Sequence, residues 1–198
     1  GVLRMSILNV FDETLHGPWK TAGFDVQYKI SSRGVLTFQH TTSKSDWLYN
    51  FQFWAMPYRD MPRKWYAHQG FVKLYKSVRD ELTPLYKYGL ITRIQGFSQG
   101  AALAQLAIED YYFQTGKPIE SAYCFGCPKV FLNLPEENKR AFDNTYLINT
   151  LGDIVSMVPP WYKNFFSALV QLPGHAYPSF KDHYPEVYRE GLKQDWGE

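Results

Sequence analysis

Residues 93–107 read RIQGFSQGAALAQLA: an apolar run is interrupted by Gly96, Ser98 and Gly100 and resumes at once with strong helix formers. The segment LITRIQGF (90–97) has strand character, and GAALAQLAIEDYYFQTG (100–116) reads as a helix. A strand that turns directly into a helix around G-x-S-x-G forces the serine into a strained, sharply exposed position, with glycines two residues to either side because side chains there would clash. The hydroxyl then sits at a helix N-terminus, where backbone N–H groups and the helix dipole favour the negative charge of a tetrahedral intermediate. The pattern alone arises by chance in roughly one chain in fifteen of this size, so its place between a strand and a helix is what makes Ser98 a candidate nucleophile.

Outward from this turn, the periodicity alternates between strand and helix. FDVQYKI and GVLTFQHT, separated by SSR, read as a hairpin. The stretch 46–66 reads as a loop rich in aromatics. A helix follows over GFVKLYKSVRDELTPLYKYG (70–89), with Phe71, Leu74, Tyr75, Val78 and Leu82 on one apolar face and Gly89 at its end. ESAYCFG (120–126) and NTYLINTL (144–151) are further strands, and DHYPEVYREGL predicts a helix opening at His183. Helices alternating with buried strands imply an α/β fold with a mainly parallel sheet and helices on its faces. With 198 residues and neither repeats nor Gly/Ser linkers, residues 1–198 read as one domain.

Composition narrows the function. Hydrophobic residues make up 45% and charged residues 20%, a globular balance, and the aromatic share of 18% is high enough that aromatics must line something besides the core. The net charge of +2 comes from scattered Lys and Arg without a basic stripe, which argues against nucleic acid as a partner. Cys124 and Cys127 form a CxxC with no second ligand pair and no helix starting at the first cysteine, so they read as reduced structural thiols; no metal or cofactor is expected. There is no basic start followed by an apolar stretch, and no run approaches the ~18 apolar residues of a membrane span. The chain reads as soluble, with cytoplasm and secretion both open.

A serine hydroxyl needs a base to take its proton and an acid to orient that base. In a strand–elbow–helix enzyme the chain order is Ser, then Asp or Glu, then His. That leaves Asp110, Asp143, Asp153 and Asp182 for the acid and His175 and His183 for the base. Reactive groups of open α/β sheets sit past the carboxyl ends of strands. Asp153 follows TYLINTLG, whereas Asp110 lies in the helix after the elbow and Asp143 precedes its strand. Of the remaining histidines, His16 reads as surface, His68 as a tie for the loop before its helix, and His40 as a packing or hydrogen-bonding residue.

From about Val35 to Tyr188 the sequence resembles the class 3 lipases, the α/β-hydrolase family of fungal triacylglycerol lipases, feruloyl esterases and their compact bacterial and phage relatives. VLTFQHTTSKSDW resembles the family strand that carries F-R-G-T/S, and AHQGFVKLY resembles V-H-x-G-F. GFSQGAALAQLA resembles G-H-S-L-G-G-A-L-A, FGCPKV resembles F-G-S-P-R-V, and NTLGDIVSMVPP resembles N-x-x-D-x-V-P-x-L-P-P. The resemblance implies Ser98 as nucleophile, Asp153 as orienting acid and His183, in a D-H-x-x-Y-like segment, as base. His175 then matches a structural histidine. The backbone N–H of Gln99 and Thr41 would form the oxyanion hole, and Trp47, Trp54 and Phe97 would meet the substrate.

His40 and Gln39 replace the family's Gly and Arg, and Phe97 and Gln99 replace its elbow His and Leu. The segment SKSDWLYNFQFWAMPYRD stands where the family carries a lid over an acyl groove. The resemblance thus implies a serine carboxylic-ester hydrolase acting on acylglycerols or other lipid esters, with possible transient contact with a lipid interface. An esterase for small soluble esters, an acyltransferase or thioesterase sharing the same chemistry, and a non-catalytic binding module are the alternatives.

Overall fold

The computed structural model describes residues 2–39, 55–59 and 65–194. Helix α1 (Val2–Leu15) is followed by β1 (Lys20–Ala22), β2 (Val26–Ile30) and β3 (Val35–Phe38). A separate hairpin, β4 (Ala55–Arg59) and β5 (Trp65–His68), leads into α2 (Gln69–Lys87). Then come β6 (Arg93–Phe97), α3 (Gln99–Thr115), β7 (Ser121–Phe125), β8 (Thr145–Thr150), β9 (Ala168–Leu172) and α4 (Pro185–Lys193). Seven strands form one sheet in the order β1-β2-β3-β6-β7-β8-β9. The first three pair antiparallel, and every pairing from β3 onward is parallel.

The sheet is covered on both faces, as a mainly parallel sheet requires. On one side α2 and α3 bury Phe71, Val72, Tyr75, Leu82, Leu103 and Leu106 with Leu36, Ile94 and Ala122 of the strands. Of the expected apolar face of α2, Phe71, Tyr75, Val78 and Leu82 are buried and Leu74 packs partly buried beside them. On the other side α1 contributes Ile7, Val10 and Phe11, and α4 contributes Tyr188 and Leu192, against Phe97, Phe125, Ile148 and Leu172. The chain has the α/β-hydrolase architecture expected from its sequence. Cys124 and Cys127 are both free and buried. Gln105 Nε2 donates to Cys127 Sγ at 2.7 Å, and burial pushes that thiol's pKa well above its ordinary value.

Three local expectations change. Part of the segment read as a loop is the β4–β5 hairpin; Pro57 lies inside β4, which a two-stranded sheet tolerates because both its strands are edges. His183 does not open a helix: Phe180–His183 is a single 3-10 turn, and α4 starts at Pro185, the first-turn position that suits proline. His68 ends a strand rather than a loop. Helix α1 and strand β9 are elements the sequence reading did not assign.

Candidate active site

The side chains of Ser98, Asp153 and His183 meet near the carboxyl ends of the parallel strands, each delivered by a different connection. Ser98 directly follows β6, with φ 60° and ψ −122°, conformational strain that a non-glycine residue carries only when its surroundings impose it. Its N–H is held by the Phe125 carbonyl at 2.9 Å, and its own carbonyl accepts from the amides of Ala101 and Ala102. The flanking glycines are required by close approach. A Cβ on Gly96 would stand 2.4 Å from the Gly100 carbonyl oxygen, and one on Gly100 would stand 2.3 Å from that of Phe38. The second contact seats the end of β3 against the first turn of α3. Contrary to the sequence expectation, the serine is not exposed: it is 5% accessible, enclosed between the end of β7 and a histidine ring.

That ring belongs to His183. Its Nε2 lies 2.8 Å from Ser98 Oγ and its Nδ1 2.8 Å from Asp153 Oδ2. Asp153 follows β8 and is fully buried. Its second oxygen, Oδ1, accepts from the Val155 amide at 2.9 Å, so the carboxylate also caps the 3-10 turn Ile154–Met157. Asp153 Oδ2 takes a further hydrogen bond from the Tyr188 hydroxyl at 2.5 Å. The two loops carrying Asp153 and His183 are stitched together by Ser179 N–H to Gly152 O at 2.7 Å and Ile154 N–H to Ser179 O. With Nδ1 donating to the buried carboxylate, Nε2 presents its lone pair to the serine hydroxyl, an arrangement able to remove the hydroxyl proton as Oγ attacks an acyl carbon.

The other candidate acids and bases lie elsewhere. Asp110 is buried in α3, where it accepts from Tyr75 OH at 2.6 Å. Asp143 follows a 3-10 segment at the opposite edge of the sheet, just before β8. His175 is paired with Asp182, whose carboxylate accepts from its amide at 2.9 Å and from its Nδ1 at 3.0 Å. That pair ties down the loop preceding His183, and the imidazole bonded to Ser98 is that of His183. His16 is exposed, and its carbonyl accepts from Lys29.

Phe97, read as a substrate contact, is 2% exposed and packs under the His183 imidazole, with Phe11 and Tyr188 edge-on to it. Gln99 is the first residue of α3, so its amide is among those a helix start leaves without an intrahelical acceptor. Thr41, Trp47 and Trp54, like His40, lie outside the described residues.

Two contributors were not singled out from sequence. Gly126 has φ 55° and forms the floor beneath the histidine–aspartate contact: a Cβ there would lie 3.0 Å from His183 Cε1 and 3.1 Å from Asp153 Oδ2. The FGCP wording around it carried the signal. Tyr188 is the other, five residues past His183 and on the buried face of α4. Among the described residues no cluster of His, Cys, Asp and Glu could hold a metal ion, and no helix is long and apolar enough to cross a membrane.

The family model for class 3 lipases matches residues 35–163, from β3 through the elbow and the Asp153 loop. The chain belongs to the class 3 lipase family. No curated protein matches the sequence. Among solved structures, this class 3 lipase chain is similar to lipase II from Rhizopus niveus (22% identity, TM-score 0.60, covering 72% of this chain and 60% of that one). It is also similar to a mono- and diacylglycerol lipase from Aspergillus oryzae (21%, 0.58, 76% and 61%) and to the Rhizomucor miehei triacylglyceride lipase (19%, 0.57, 79% and 64%). At these identities the likeness is one of fold. The chain spans 60–64% of the length of these lipases.

Proposed function

We propose that this class 3 lipase chain hydrolyses carboxylic esters, of the acylglycerol or a related lipid class, through a serine-bound acyl intermediate. The observation that carries the reading is the relay in which His183 bridges Ser98 Oγ and Asp153 Oδ2 at 2.8 Å on each side. Ser98 Oγ attacks the ester carbon while His183 Nε2 takes its proton; Asp153 holds the ring and stabilises the imidazolium. The negative charge gathers on the former carbonyl oxygen, where the Gln99 amide at the helix start is one donor and Thr41 the second. As the intermediate collapses, the carbon–oxygen bond to the alcohol breaks and His183 returns the proton to the departing alkoxide. A water molecule, deprotonated by the same nitrogen, then cleaves the acyl-serine and releases the acid.

The lipid-ester class rests on the family and on the aromatic segment that holds Trp47 and Trp54. Ser98→Ala tests the mechanism. The variant should stay folded, lose all labelling by a fluorophosphonate probe and lose at least about a thousandfold in kcat. Retention of turnover near that of the unmodified protein would end this reading. A p-nitrophenyl ester series from acetate to palmitate tests the substrate class, with rates expected to favour the longer chains.

A further inference from the structure

Asp153 Oδ2 receives two donors, and only one of them belongs to the relay. His183 Nδ1 approaches at 2.8 Å and Tyr188 OH at 2.5 Å, while Oδ1 is occupied by the Val155 amide at 2.9 Å. The carboxylate is therefore held by three directed hydrogen bonds in a site without solvent contact. Tyr188 comes from α4, on the far side of the proline that ends the His183 turn, so its hydroxyl reaches the acid from a different element than either the acid or the base. Its ring is fully buried, stacked with Phe11 at 6.0 Å and edge-on to Phe97 at 5.5 Å. The ring is anchored independently of the hydroxyl.

We propose that Tyr188 is a positioning residue for the reaction, acting through Asp153 to set both the direction and the strength of the contact between the carboxylate and His183. This rests on the assignment of Ser98, His183 and Asp153 given above. A buried carboxylate with one free oxygen can rotate toward whichever donor is nearest. With Tyr188 and Val155 holding its two oxygens, the Oδ2 lone pair left for Nδ1–H points at the ring plane that also aligns Nε2 with Ser98.

The second donor also draws charge from Oδ2 and so weakens the hold of the carboxylate on a protonated imidazole. Burial and the Asp153 charge push the phenol's pKa well above its ordinary value, so the hydroxyl stays a donor throughout the working pH range. Among the described residues the buried Cys127 thiol also lies within reach of the Asp153 charge, and burial likewise keeps it protonated.

Tyr188→Phe removes the oxygen and keeps the ring. Expected are a loss of about tenfold in kcat with KM unchanged, since Tyr188 contacts no substrate, and a shift of the acidic limb of the kcat/KM profile to higher pH by about one unit, because the unopposed carboxylate holds the imidazolium more strongly. The downfield Nδ1–H proton resonance of His183 should move further downfield, a readout that does not depend on turnover. A purely structural tyrosine would lower the melting temperature and leave the limb and the resonance in place; a folded variant behaving so overturns the proposal.

Should Tyr188→Phe fail to fold, 3-fluorotyrosine placed at position 188 keeps the packing and strengthens the donor. The acidic limb should then move to lower pH, and an unmoved limb overturns the proposal equally. If Ser98→Ala leaves turnover intact, the reading of the site fails; if Ser98→Ala abolishes it while both Tyr188 replacements are silent, only the role of Tyr188 fails.

Discussion

Phe97 lies flat against the His183 imidazole, with ring centroids 5.0 Å apart and planes 17° from parallel. The contact fixes the plane in which His183 faces Ser98 on one side and Asp153 on the other, and Phe11 wedged edge-on at 5.8 Å keeps Phe97 from rotating away. Leucine at this position stays apolar but is smaller and loses the flat surface. Phe97→Leu should lower kcat by about three- to tenfold with KM unchanged, and lower stability by about 1 kcal/mol. Kinetics on short and long esters check this. A KM that climbs with acyl-chain length in the variant would instead make Phe97 a substrate contact.

The two C-terminal histidines give a second contrast. His183 is hydrogen-bonded to Ser98 and Asp153, whereas His175 is bonded to Asp182 through both its amide and its ring. His183→Ala should cost at least about a thousandfold in kcat with little change in melting temperature. His175→Ala keeps the backbone bond to Asp182 and loses a half-exposed ring contact, so it should lower stability by about 1 kcal/mol and kcat by only a few-fold. Side-by-side kinetics and urea unfolding of the two variants decide the matter, and the opposite ranking would move the role of base to His175.

Gly126 carries the third prediction. Its φ of 55° and the 3.0 Å separation that a Cβ would have from His183 Cε1 oppose any side chain. In Gly126→Ala the imidazole must yield by a few tenths of an ångström, short of the ~1 Å misplacement that costs on the order of a hundredfold, so a loss of about three- to tenfold follows. We expect that loss in kcat together with a stability decrease of about 1–2 kcal/mol from the left-handed backbone. A fully active Gly126→Ala would mean that the floor of the site is softer than its packing indicates.

How much of this was readable in advance follows from the range of each interaction. The elbow was legible because its requirements are local: Gly96 and Gly100 clear each other and the end of β3 within a few residues of Ser98. The roles proposed for Asp153 and His183 came from the family resemblance, through the N-x-x-D-x-V-P and D-H-x-x-Y wording around them, after chain order and strand ends had narrowed the candidates. Tyr188 was not legible as a donor to Asp153, because the contact spans 35 positions and depends on where Pro185 starts α4. Phe97, which the resemblance placed against the substrate, was not legible as a support for the His183 ring, because that depends on strand alternation turning it down into the α1–α4 layer. Hairpin β4–β5 was hidden by Pro57, which propensity counts against a strand.

The last prediction concerns alkaline stability. Burial raises the pKa of Tyr86, Tyr188 and the Cys127 thiol in the folded chain, in each case as the leading cause; the nearby Asp110 charge adds to it for Tyr86 and that of Asp153 for Tyr188. All three are neutral when protonated, and in the unfolded chain they ionise near their ordinary values of ~8.5 for Cys and ~10 for Tyr. The folded state therefore retains protons that the unfolded state gives up. Stability from these groups is complete below about pH 8.5 and falls as pH rises beyond it, by about 1.4 kcal/mol per pH unit for each group that is ionised only when unfolded. Tyr28, Tyr111 and Tyr162, also raised by burial, act in the same direction more weakly. Urea midpoints should be level between pH 7 and about 8.5 and decline steeply by about pH 10–11. Tyr86→Phe should make the decline above about pH 10 shallower by roughly one group's share, after an initial loss from the Tyr75 hydroxyl it leaves with one partner fewer. A midpoint level through pH 11 would show that these side chains ionise within the folded chain and that their surroundings admit water.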